Sequence, residues 1–132
     1  MPSHESYETL LRVASKDLNV AKYLTTAEDI YIEGVCIHCQ QCAEKALKSF
    51  IRFNNIKYSL IHNLEKLLID CINLDKTFTT IETHCVILNH YSSDTRYTDN
   101  SSIPEREMHE AIELAEEVLN FVKEKFEKSN LS

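Results

Sequence analysis

Val35-Cys36-Ile37-His38-Cys39-Gln40-Gln41-Cys42-Ala43-Glu44-Lys45-Ala46-Leu47-Lys48-Ser49-Phe50 is the stretch whose reading decides the fold. Its apolar residues Val35, Cys39, Cys42, Ala43, Ala46, Leu47 and Phe50 return every three or four positions. That is the period of one face of an α-helix, and a strand would alternate every two. No Gly or Pro interrupts the run. The amphipathic pattern extends from about Ile30 to Phe53, with Tyr31 as a further apolar position. Asn54 and Asn55 close it, because Asn tolerates the left-handed conformation found past helix ends.

The same period recurs on both sides. An earlier helix is predicted over Ser6 to Leu24, with Leu10, Leu11, Ala14, Leu18, Ala21 and Leu24 inward. A short helix is predicted over His62 to Ile72 on Leu64, Leu67, Leu68 and Cys71. A fourth is predicted over Lys76 to Tyr91, capped by Asp75 and striped by Phe78, Ile81, Cys85 and Leu88. Four threonines in it make a strand the competing reading. The polar segment Ser92 to Ser102 has no period and reads as a loop, and loops of this length are often functional. Ser102 and Glu105 read as a capping box with Pro104 in the first turn. The helix that follows runs to about Lys128 on Met108, Ala111, Ile112, Ala115, Val118, Leu119, Val122 and Phe126. The expected fold is all-α, an antiparallel up-and-down bundle of four to five helices. It forms a single domain over residues 1–132 with its core at about 6–128.

Composition supports helices. The 132 residues contain one Gly and two Pro, too few for a sheet built on tight hairpins. The net charge of -7 lacks the basic surplus of a protein that coats nucleic acid, so any such contact must be local. No apolar run is long enough to span a membrane, and no signal peptide is visible. A cytoplasmic location is expected. Five cysteines without a secretory context read as reduced thiols.

Cys36, Cys39 and Cys42 invite a zinc or iron–sulfur reading. Their spacing argues for packing instead. At roughly 100° per residue they share the arc of Val35, Ala43, Ala46 and Phe50, where buried thiols act as small hydrophobes. No cofactor or metal is expected. On another side of this helix Gln41, Lys45, Lys48 and Arg52 recur at four, three and four, forming one polar line. This is either a solvated face or a strip that binds anions or a partner. Ile37 and Ile51 lie off the main stripe, a hint of an interface.

Gln40 to Lys48 resembles the Q-Q-A-A-E-K-A-L-K signature of the HEPN family. His62-Asn63-Leu64 followed by Leu67-Leu68 resembles the family's H-[DN]-L-x-x-L-L element, and Tyr91 with Arg96-Tyr97 its R-Y-P element. Ala14, Asp17, Leu18 and Ala21 are similar to its opening helix. The order holds from about Ser6 to Lys128. Thr98 departs from the family's usual Pro. The resemblance implies a helical bundle that forms homodimers and pairs with a small nucleotidyltransferase-like protein, often as toxin and antitoxin. It also implies contact with nucleotide or RNA.

Active HEPN ribonucleases resemble one another in carrying Arg, four to six residues, then His. That pairing suits RNA cleavage, since His moves the 2′-OH proton and Arg stabilises the phosphorane charge. Here Arg52 precedes His62 by ten positions and Arg106 precedes His109 by three. The reading therefore leans to a binding module without standard catalysis. The alternative is a metal-independent ribonuclease toxin with a non-standard site at His90, Arg96 and Tyr97. Candidate nucleotide or RNA contacts are His90, Arg96, Tyr97, Lys45, Lys48, Arg52 and His62. Elemental analysis of the purified protein is expected to find no stoichiometric zinc or iron; one metal per chain would overturn the packing reading of the cysteines.

Overall fold

In a computed structural model of the chain, residues 6–58, 63–92 and 103–131 are described, with 130 and 131 described by backbone alone. Five α-helices occur among them: α1 Tyr7–Leu24, α2 Ile32–Phe53, α3 Leu64–Leu74, α4 Glu82–Asn89 and α5 Glu105–Leu131. A 3-10 helix, Lys76–Ile81, leads into α4. No strand is present among the described residues. The chain is an all-α bundle, as its period predicts.

Local chemistry sets the boundaries. The Ser6 hydroxyl accepts from Thr9 N and starts α1. Asn63 accepts from the N–H groups of Glu65 and Lys66 and starts α3. Asn55, just past α2, has φ 62°, the left-handed turn its side chain tolerates. Asp75 caps the 3-10 segment by accepting from Thr77 N. The predicted fourth helix is thus two pieces. Thr79 donates its hydroxyl to Lys76 O, and Thr77 donates its own to Asp75. Such local bonds compete with the α ladder, so the regular α turn begins only at Glu82. The Ser102 half of the expected capping box lies outside the described residues. Pro104 sits before the first turn rather than in it, its carbonyl accepting from Met108 N.

Packing order follows from which side chains meet. Tyr7 stacks on Phe53 and Phe126, with centroids 4.9 and 5.0 Å apart. Thus α1 starts where α2 and α5 end. Leu64 N donates to Asn89 Oδ1, and Lys125 pairs with Asp75 at 3.0 Å. Therefore α3 and α4 are antiparallel, as are α4 and α5. Since α5 also runs with α2, helices α2 and α3 point the same way.

All four other helices touch α2. Fourteen of its 22 residues are buried, more than a single apolar stripe supplies. Consequently Ile51, expected off the core, is only 1% exposed, because α2 has a second packed side. Tyr31 departs the other way. It precedes α2 and is 62% exposed. Its ring lies so close to Gly34 that a Cβ there would approach Tyr31 Cδ2 to 2.5 Å.

Burial alone would raise the Asp75 carboxyl, yet hydrogen bonds from Thr77 and Lys125 and the Lys125 charge outweigh it and hold it below its ordinary 3.8. A carboxylate lowered on folding stabilises above its unfolded pKa, and that contribution is lost as pH falls through the folded value. Urea unfolding is expected to show stability falling below about pH 4, and Asp75→Asn should flatten that fall. An identical pH profile for the variant would refute the assignment.

Candidate functional site

The sequence predicts one continuous polar line on α2. The structure divides it by what packs on each side. Lys48 is withdrawn from solvent, 5% exposed, beside Glu44 at 2%. Lys48 Nζ donates to Glu44 Oε2 at 2.8 Å, and Gln40 Nε2 donates to Glu44 Oε1 at 3.3 Å. The Lys48 ammonium also lies 5.1 Å from the centroid of the Tyr58 ring, within cation–π range. Lys48 is therefore no member of a solvated strip. It lies one helical turn from Glu44 on the side that the segment after α2 covers. Burying two opposite charges is tolerable only with close geometry and further hydrogen bonds, and both are present.

Lys45 points elsewhere. It is half-buried and lies 3.9 Å from Asp17 Oδ2 on α1. Asp17 Oδ1 lies 3.1 Å from His38 Nδ1. His38, Asp17 and Lys45 thus form a small charged cluster across the α1–α2 seam. Sequence reading singled out Lys45 alone here. The signal available was the seven-residue step from His38 to Lys45, two turns along one face.

Arg52 occupies the last turn of α2. Its Nε is buried and makes no hydrogen bond. Ser6, Tyr7, Phe53 and Asn55 line a cavity with it. His90 caps the C-terminus of α4 and is exposed. The 3-10 segment and α4 separate these two residues, so the structure does not join His90 to the α2 cations at Arg52. His62, Arg96 and Tyr97 lie outside the described residues. Arg106 and His109 share a surface groove on α5 with Glu110 and Glu113, and His109 lies 3.8 Å from Glu105.

The cysteine triplet sits in the core. Cys36, Cys39 and Cys42 are all 0% exposed. Burial pushes Cys36 and Cys42 up to about 12 and raises Cys39 as well. With no metal bound, these are neutral thiols at neutral pH and weak nucleophiles. Among the described residues, no group of three His, Cys, Asp or Glu side chains could hold a metal ion. No described helix is long and apolar enough to cross a membrane.

The family model of the HEPN domain matches residues 7–125. An archaeal HEPN homologue of known crystal structure is 28% identical, with a TM-score of 0.73 over 92% of this chain and 98% of that one. The crystal structure of TT1696 from Thermus thermophilus is 26% identical, with a TM-score of 0.70 over 90% and 97%. No curated protein matches the chain.

Lys48→Ala removes the cation beside a buried carboxylate and should cost about 3 kcal/mol. Lys45→Ala, at a looser and wetter pair, should cost under about 1 kcal/mol. Equal losses in urea denaturation of the two variants would contradict this division of the line.

Proposed function

Because this chain belongs to the HEPN domain family, we propose that it is a binding module. It acts as a homodimer with a small nucleotidyltransferase-like partner, in the manner of a toxin–antitoxin pair, and contacts nucleotide or RNA. The observation that carries this reading is the missing Arg-then-His pair. The chain has no Arg followed, after four to six residues, by His. The nearest approach, Arg106 and His109, opens onto a groove shared with two carboxylates, which repel a phosphate backbone.

Chemistry assigns parts to the remaining candidates. Lys45 and Lys48 already have carboxylates as neighbours, so they offer an incoming phosphate little net charge. His90 is exposed at the end of α4, where an imidazole can reach a ligand from solvent. With His62, Arg96 and Tyr97 it forms the contact set we assign to nucleotide or RNA. The net charge of -7 favours a short contact over an extended RNA track. Dimerisation would bring two such sets into one particle of the cytoplasm.

Affinity purification of the tagged protein from its host, read for both protein and RNA, tests the proposal. Recovery of a small nucleotidyltransferase at stoichiometric level, with a dimer-sized particle on gel filtration, is the expected result. A clean monomer recovered without such a partner would sink it. Growth arrest on expression, relieved by Arg96→Ala, would instead establish the ribonuclease toxin with a non-standard site at His90, Arg96 and Tyr97.

A further inference from the structure

At the end of the bundle where α1 begins and α2 stops, a cavity of about 230 Å³ is lined by Ser6, Tyr7, Arg52, Phe53 and Asn55. The polar groups of these side chains include the Arg52 guanidinium, the Tyr7 hydroxyl and the Asn55 amide, all hydrogen-bond donors. No carboxylate is among the described residues that line it. This sets Arg52 apart from the other α2 cations. Lys45 has Asp17 and Lys48 has Glu44, whereas Arg52 Nε is buried with no hydrogen-bond partner. A buried N–H of a charged group left without an acceptor is costly, and the remainder of the guanidinium, on a residue that lines the cavity, is the cation an incoming anion would meet.

The walls are already in place. Tyr7 meets Phe53 edge-to-face at 4.9 Å, and Phe126 backs both rings at 5.0 and 4.9 Å. The left-handed Asn55 donates its backbone N–H to Arg52 O at 2.9 Å, tying the turn to the helix that carries the guanidinium. Little rearrangement is needed before binding, which favours affinity for a small ligand.

We propose that this cavity is a binding site for a small oxyanion, a phosphate or carboxylate group borne on a small molecule, with Arg52 as its anchor. The planar guanidinium fork matches both groups bidentately. The volume lies below the usual range for drug-sized ligands. A charged head group with a few attached atoms fits within it. The site is separated from His90 by α4 and the 3-10 segment, and it does not depend on the partner reading.

Calorimetry of the full chain at low salt, with inorganic phosphate and acetate titrated separately, tests the site. One saturable site per chain, with a dissociation constant on the order of 1 mM, is expected. Arg52→Gln should weaken it at least about tenfold, while Arg106→Gln should leave it unchanged. Tighter phosphate assigns phosphate monoesters, and tighter acetate assigns carboxylates. In the unaltered protein the Arg52 Nε–H resonance should shift on titration together with the Tyr7 and Asn55 amides. If Arg52→Gln does not fold, Arg52→Lys replaces it, keeping the charge and losing the fork. No saturable binding, equal affinity in the Arg52 variant, or shifts elsewhere only would overturn the assignment.

Discussion

The Glu44–Lys48 ion pair, 2.8 Å long and nearly free of solvent, lies in α2, which touches all four other described α-helices. A helix enclosed on several sides cannot send the polar side chains on those sides to water. Each of these buried groups must be satisfied inside the protein, or its burial destabilises the fold. Gln40, Glu44, Lys48 and Ser49 are the buried polar residues of α2. Gln40, Glu44 and Lys48 bond to one another, and Ser49 donates to Ala46 O. The surrounding helices can close on α2 only because this internal pairing is complete at those positions.

The same constraint explains the cysteines. Small side chains at Cys36, Cys39, Cys42, Ala43 and Ala46 let α1 and α5 approach α2 closely, where longer residues would hold them apart. The Cys71 thiol approaches Leu47 O at 3.6 Å and Cys42 approaches Ala115 O at 3.9 Å, so the thiols also serve as weak donors at helix crossings. At the end of the bundle the bulk is larger. Phe50, Phe53, Phe78, Phe121 and Phe126 gather there with Tyr7. Lys125 reaches Asp75 from this cluster, its ammonium 4.9 Å from the centroid of the Phe121 ring. The oxyanion cavity at Arg52 opens in the gap that these rings leave between the start of α1 and the turn at Asn55.

Function divides along the same lines. Charges on α2 that face neighbouring helices have become part of the architecture. Two candidates stand at element ends: Arg52 lines a cavity where α2 stops, and His90 is exposed where α4 stops. Sequence reading treated Lys45, Lys48 and Arg52 as equivalents because they share a helical line. Packing gives each a different neighbour, and the neighbour decides whether a cation can meet a ligand.

Periodicity by itself located the helices, and only the 3-10 start of the predicted fourth one departs from it. Spacings of three and four fixed the inward residues of α3 as Leu64, Leu67, Leu68 and Cys71, and all four are buried. Short-range chemistry was equally readable, since Ser6, Asp75 and Asn55 act on backbone within a few residues of themselves. The motif run Gln40 to Lys48 carried the family. What only the tertiary structure decided is how many sides of α2 are covered. An amphipathic pattern reports one buried face, and the second face of α2 is lined by Glu44 and by Lys48, which the sequence places on a polar line. Their burial depends on contacts between segments far apart in the chain, as does the seam joining Asp17 to His38 and the cavity joining Tyr7 to Arg52. A helical period carries no information about such distant partners, because the pairing is set by how whole helices pack.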